Sequence, residues 1–187
     1  MSAHGPIETE IKLAVADPAS ATALLAQNGF VVSKPRVFES NVVFDSVSRD
    51  LRSSGCVLRV RSAGTQNVLT FKGRAERARH KSREEIEIEV SDAGSASAIL
   101  ARLGYRPTFR YEKYRTEFAY PREQGVVTLD ETPVGCFLEL EGEAGWIDTT
   151  AKQLGFSETD YMTASYGSLY ARHCAELGVE PTNMVFP

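Results

Sequence analysis

The sequence predicts an α+β fold of about eight strands with helices packed on their apolar side. Two observations lead there. Short segments alternate charged and apolar residues along most of the chain, as strands with one polar and one apolar face do. The chain also repeats itself, running strand, helix and three strands twice over.

The first strand is Glu8-Thr9-Glu10-Ile11-Lys12-Leu13. Side chains two apart share a face, so Glu8, Glu10 and Lys12 point one way and Thr9, Ile11 and Leu13 the other. Asp17 then caps an Ala-rich helix, with Pro18 at its first position, where a missing N–H costs nothing. Gly29 stops it. Strands are expected near Val37–Phe44, Cys56–Ser62 and Val68–Lys72. The second unit opens with Glu85-Ile86-Glu87-Ile88-Glu89-Val90, followed by an Asp92 cap, an Ala-rich helix and the stop Gly104. Strands near Phe109–Tyr120, Val126–Asp130 and Phe137–Glu141 complete it. The closing strands align as well, Val68 to Gly73 against Phe137 to Gly142. Two more helices are expected, near Trp146–Leu154 and Ser165–Leu177.

One face of these strands is ionic. It offers Glu8, Glu10 and Lys12; Arg59 and Arg61; Thr70 and Lys72; Glu85, Glu87 and Glu89; Lys113, Arg115 and Glu117; Thr128 and Asp130; and Glu139 and Glu141. The other face is apolar: Val57, Leu58 and Val60; Leu69 and Phe71; Ile86, Ile88 and Val90; Val127 and Leu129; Leu138 and Leu140. Two architectures satisfy this pattern. A flat sheet would turn the ionic face to water. A sheet closed into a barrel would remove its unpaired edges and line a lumen with charges of both signs. Burying so many charges is tolerable only when they are paired or metal-bound, so such a lumen suits an anion taken up together with a metal.

Composition narrows the choices. At 187 residues, 42% hydrophobic and 25% charged, the chain fits one folded domain. Its net charge of −4 argues against a general nucleic-acid binder. No apolar run is long enough to span a bilayer, and Met1 to Ile7 lacks the layout of a signal peptide, so a cytoplasmic protein is expected. Cys56, Cys136 and Cys174 are too few and too far apart for a disulfide scaffold or zinc knuckle, and read as small buried hydrophobes.

Seven motifs, each on its own strand, carry a resemblance. They are Glu8-x-Glu10-x-Lys12, Leu58-Arg59-Val60-Arg61, Leu69-Thr70-Phe71-Lys72-Gly73, Arg83-Glu84-Glu85-Ile86-Glu87, Glu112-Lys113-Tyr114-Arg115, Leu129-Asp130-Glu131 and Glu139-Leu140-Glu141-Gly142. From about Ile7 to Tyr170 the chain resembles the CYTH superfamily, the triphosphate tunnel metalloenzymes. Leu103-Gly104-Tyr105-Arg106-Pro107 and Ser165-Tyr166-Gly167-Ser168-Leu169 look most like its class IV adenylyl cyclase branch. The resemblance implies one domain, a closed eight-stranded antiparallel tunnel with outer helices. It implies that Arg59, Arg61, Lys72, Lys113 and Arg115, helped by Lys12, hold a triphosphate. Glu8, Glu10, Glu139 and Glu141 would hold Mg²⁺ or Mn²⁺, with Glu87 and Asp130 near the ions or orienting the bases. Lys12, Glu87 and Asp130 are the catalytic candidates, and a nucleoside triphosphate or polyphosphate is the implied substrate. Members of that branch often pair, so a homodimer is a further expectation. One position departs: where thiamine triphosphatases carry a Tyr, this chain has Val43.

Four features have plainer readings. The basic run Arg74 to Arg83 reads as a solvated hairpin loop or as a flap that draws in polyanions. His4, His80 and His173 read as surface residues. Trp146 and the tyrosines Tyr161, Tyr166 and Tyr170 read as packing. Pro181 to Pro187 reads as a terminal tail.

Overall fold

The strand order closes on itself. In the computed structural model, which describes residues 5–121 and 125–187, the elements are β1 (Ile7–Val15), α1 (Pro18–Gln27), β2 (Val31–Asp45), a short α2 (Asp50–Ser54), β3 (Val57–Ala63), β4 (Gln66–Lys72), a two-residue β5 (Glu76–Arg77), β6 (Lys81–Val90), α3 (Ala93–Arg102), β7 (Arg106–Ala119), β8 (Val126–Thr132), β9 (Gly135–Glu141), α4 (Ala144–Gln153), a 3₁₀ turn (Glu158–Asp160) and α5 (Tyr166–Leu177). Neighbours run β1-β9-β8-β7-β2-β3-β4-β6, and β6 pairs back onto β1 through Ile7–Glu10 against Lys81–Glu84. Every pairing between these eight strands is antiparallel. The flat-sheet alternative is therefore excluded, and the barrel is the closed eight-stranded form.

The repeat is visible in the topology. Exchanging β1 with β6, β2 with β7, β3 with β8 and β4 with β9 leaves every neighbour relation of the ring unchanged. The matching helices are capped alike: Asp17 accepts from the N–H groups of Ala19 and Ser20, and Asp92 from that of Ser95. Gly29 and Gly104 both take positive φ just past the helix, the conformation glycine adopts without penalty. The ladders correct one detail of the alignment. Glu10 lies opposite Glu141, and Lys72, the counterpart of Glu141, lies opposite Glu85. Glu10 thus corresponds to Glu85 and Lys12 to Glu87, as the spacing from Asp17 to Asp92 also requires. Alternating strands permit such a two-residue slide because it keeps each face on its side.

The apolar faces are covered from outside. α1 and α4 bury Ile11, Leu13, Val127, Leu129, Leu138 and Leu140 under Leu25, Ile147, Ala151 and Leu154, with Trp146 packed against them. α3 covers Phe44 and Val60 with Ala96 and Leu100. Among the described residues the first unit has no helix after β4 to match α4 after β9. Ile86 and Ile88, which correspond to the fully buried Ile11 and Leu13, therefore stay 45% and 55% exposed, contrary to the expected helical cover.

Two further expectations change. α5 is not an outer-face helix: Tyr166 and Leu169 pack on Tyr111, Phe137 and Val43, which continue the inner face beyond Lys113, Glu139 and Asn41. The terminal segment is docked. Met184 is fully buried and exchanges backbone hydrogen bonds with Arg110 and Glu112 on β7, and the Phe186 N–H donates to the Glu112 carboxylate. Of the cysteines, only Cys174 is buried; Cys56 and Cys136 are half-buried, and all three are free.

Candidate active-site tunnel

The lumen is built by strand alternation alone. Every second residue of β1, β3, β4, β6, β7, β8 and β9 turns inward, and side chains reach past an intervening strand, Lys72 to Glu8, Arg59 to Tyr111 and Arg115 to Glu139. Glu10, Lys12, Arg59, Lys72, Lys113, Asp130 and Glu139 are all buried. These buried ionic residues are therefore brought together in one lumen, while Glu87, Glu89 and Glu141 keep an exposed side and Glu117 pairs with the exposed Lys34.

The acid end lies where β1 meets β9 and β6. Lys12 bridges Glu10 and Glu139, at 3.1 and 2.9 Å. Lys72 reaches Glu8 at 2.7 Å and Glu85 at 2.9 Å. Arg83 lies 3.3 Å from Glu8, and Lys81 2.5 Å from Glu10. Burial alone would push the Glu10 carboxyl up, but Lys12 and Lys81 outweigh it and hold its pKa below the ordinary range. Glu139 behaves likewise, held down by Lys12, Arg115 and Lys113 against its burial. Lys12 is raised, because Glu139 and Glu10 more than offset its desolvation. Glu141 differs. The residue keeps one side open to solvent, yet the protein packed around its carboxyl, and next the negative charge of Glu8, push its pKa up to about 7. Among the described residues it makes no ion pair.

The basic end lies across β3, β7 and β8. Asp130 is fully buried and accepts from Lys113 at 2.8 Å, from Arg115 through both carboxylate oxygens at 2.7 and 2.6 Å, and from the Tyr166 hydroxyl at 2.6 Å. Arg115 also pairs with Glu139, which ties the two ends together. Arg59 donates to the Tyr111 hydroxyl and to Thr70 and lies 3.3 Å from Glu87. Arg61 lies 3.6 Å from Glu87, and Thr70 donates to the same Glu87 oxygen at 2.7 Å. Both Glu87 and Asp130 thus fix the directions of arginines and lysines. Glu39 sits 3.6 Å from Lys113; burial would raise its carboxyl, but Lys113 and Arg115 lower it to about 2.

A CYTH domain model matches residues 6–166. The chain belongs to the CYTH domain family. A candidate adenylate cyclase of Methanocaldococcus jannaschii is 30% identical over 149 residues, covering 79% of this chain and 83% of the relative. A solved candidate adenylate cyclase from Vibrio parahaemolyticus superposes with TM-score 0.76 at 22% identity, over 88% of this chain and 98% of that one. A Hippeastrum protein, described as a candidate adenylyl cyclase with a dominant triphosphatase activity, superposes with TM-score 0.62 at 18% identity, over 93% and 97%. At these identities the two structures attest to the CYTH fold.

The donor set of this CYTH tunnel suits a hard divalent cation. Glu8, Glu10, Glu139 and Glu141 supply only oxygen ligands, and the crowding that raises Glu141 is what a bound cation relieves. Among the described residues no group of three or more His, Cys, Asp or Glu is already arranged around a metal position. The lysines stand between the acids, so they must turn aside for a cation to bind.

The sequence reading missed several lumen residues. Glu39 and Asn41 of β2 face inward, and Asn41 is fully buried with neither carboxamide atom partnered among the described residues. Their alternation was legible, but Val42-Val43-Phe44 disguised it. Tyr111 and Tyr166 are packing residues that also bring hydroxyls to Arg59 and Asp130; aromatic character masked that role. Lys81 and Arg83 fall in the basic run that the sequence reads as a solvated hairpin loop or a flap. They open β6 instead, where Lys81 is buried at Glu10 and Arg83 reaches Glu8. Of the same run, Arg79 pairs with Asp148 and Glu158, and His80 bonds Asp148. His80 is therefore a bridging residue and not a free surface one. His4 and the side chain of Arg77 lie outside the described residues.

Proposed function

We propose that this chain is a metal-dependent enzyme acting on a triphosphate held in the tunnel, of the class IV adenylate cyclase type, converting ATP to cyclic AMP and pyrophosphate. The observation that supports it is the division of the lumen. Glu8, Glu10, Glu139 and Glu141 gather where β1 and β9 meet, with Lys12 and Lys72 among them, and Arg59, Arg61, Lys113 and Arg115 gather across β3 and β7. A polyanion chelating a cation matches both parts at once.

In this reading Arg59, Arg61, Lys72, Lys113 and Arg115, with Lys12, grip the phosphate oxygens; arginine forks can hold two oxygens each. Glu87 and Asp130 keep those bases aimed, so little reorganisation is needed as charge spreads in the transition state. Glu8, Glu10, Glu139 and Glu141 would hold Mg²⁺ or Mn²⁺, which when bound supplies a Lewis acid to the phosphate and to the attacking oxygen. Enclosure excludes bulk water, which favours attack by a ribose 3′-oxygen on the α-phosphorus over hydrolysis. Homodimer formation belongs to the same reading and is checked by sedimentation.

A second reading, hydrolysis of a tripolyphosphate or organic triphosphate, uses the same groups with water as the attacker. The dominant triphosphatase activity of the Hippeastrum relative favours it. Val43, in place of a Tyr, counts against thiamine triphosphate as the substrate. Incubation of the pure protein with ATP and Mn²⁺ separates the readings. Cyclic AMP with pyrophosphate supports cyclisation; orthophosphate without cyclic product refutes it. Tight triphosphate binding with no product at any pH or metal would instead mark a binding module.

A further inference from the structure

We propose that Lys81 is a tethered counter-cation for Glu10, and that the hairpin carrying it is released when a divalent cation takes that carboxylate. The inference rests on the metal reading of the acid end given above.

β5 and the start of β6 form a tight hairpin, with Arg77 opposite Lys81 and the Ala78 N–H donating to the His80 carbonyl at 3.1 Å. Its tip is latched from outside. Arg79 meets Asp148 at 2.8 Å and Glu158 at 2.6 Å, and His80 Nε2 lies 2.8 Å from Asp148 Oδ1. The Tyr161 hydroxyl donates to the same Asp148 oxygen at 3.1 Å. The hairpin is thus strapped to α4 and to the 3₁₀ turn.

Behind the strap, Lys81 and Lys12 both bond Glu10 Oε1, at 2.5 and 3.1 Å. The two lysines are not equivalent. Lys12 keeps a second acid, Glu139. Among the described residues Glu10 is the one acid partner of Lys81. A divalent ion on Glu10 removes that partner and sets a like charge beside a buried ammonium. A buried charge without compensation is not tolerated, so Lys81 must swing out. It is the first residue of β6 and adjoins the latched turn, so its departure pulls on Arg79 and His80. Coupling of this kind is reciprocal: a weaker latch must strengthen metal binding, and metal must loosen the strap.

The test titrates Mn²⁺, with and without inorganic tripolyphosphate, into wild type, Lys81→Met, Asp148→Asn and Glu10→Gln, reading bound Mn²⁺ by electron paramagnetic resonance. Amide hydrogen exchange of residues 76–81 is followed in the wild type. Lys81→Met should bind Mn²⁺ about tenfold more tightly, and Asp148→Asn, which touches no acid of the lumen, several-fold more tightly. Mn²⁺ should speed exchange in the wild-type hairpin. If Glu10→Gln loses Mn²⁺ while Asp148→Asn binds as wild type does and the hairpin exchange is unmoved, the strap idea fails and the metal reading stands. If Glu10→Gln binds Mn²⁺ as well as wild type, both fail. A Lys81→Met protein that does not fold leaves the Asp148→Asn and wild-type exchange measurements to decide.

Discussion

Lys12 and Glu139 face each other across the β1–β9 ladder, with Nζ and Oε1 2.9 Å apart and both side chains withdrawn from water. The pair shares Glu10 on one side and Arg115 on the other. It therefore joins the acid end of the tunnel to the basic end.

Lys12→Met leaves Glu10 and Glu139 with one cation fewer. Removing one member of a buried ion pair costs about 3–5 kcal/mol, so the urea midpoint of the metal-free protein should drop sharply. Added Mn²⁺ should restore part of the loss. An unchanged midpoint would contradict the pairing.

Glu85 carries a pH signature. Its burial, opposed by Lys72 and helped by Glu8, raises its pKa from 4.5 to about 7. The fold therefore prefers the protonated acid. Its contribution to stability is complete below pH 4.5 and is lost as pH climbs to about 7. Thermal melts of Glu85→Gln between pH 5 and 8 should fall less steeply than those of the wild type. Parallel curves would show that the site does not titrate there.

Glu141 must be ionised to hold a cation, and it too is raised to about 7. Mn²⁺ affinity should climb by up to about tenfold per pH unit below 7 and level off above it. Calorimetry across that range, repeated with Glu141→Gln, checks both the climb and its removal.

Arg115→Lys keeps the charge but loses the fork that grips Asp130 through two oxygens. In the proposed enzyme, KM for ATP should rise and kcat should fall, with tripolyphosphate binding weakened by one to two orders of magnitude, about 1.4 kcal/mol per tenfold. Equal kinetics for the two proteins would remove Arg115 from the phosphate grip.

Met184→Ala empties a fully buried site against β7. A loss of roughly 2–5 kcal/mol is expected in chemical unfolding. A stability change near zero would mean that the terminal segment is not part of the core.

Much of the site was legible without coordinates. Alternation in β1, β3, β4, β6, β7, β8 and β9 marked the ionic face, and the two Asp caps and Gly stops marked the repeat. Tyr166 was not legible in its site role, because nothing in a helical Tyr announces an acid beneath its hydroxyl. Nor was Lys81, since a basic run looks the same whether it is solvated or folded inward.

The sequence by itself determined which residues share a face, because that follows from the two-residue period of an extended chain. It also determined the duplicated order of elements. Only the tertiary structure decided that β6 returns to β1, which turns one ionic face into an enclosed lumen. The ladders settle the register of the halves that the Asp17 and Asp92 caps also mark, Lys12 matching Glu87 and Glu141 matching Lys72. The backbone is thereby nearly two-fold while the charge is inverted at those two matched positions and kept at Glu10 and Glu85. The physical reason is that alternation fixes the side of a strand but not its partner; pairing across the barrel depends on packing between residues far apart in the chain.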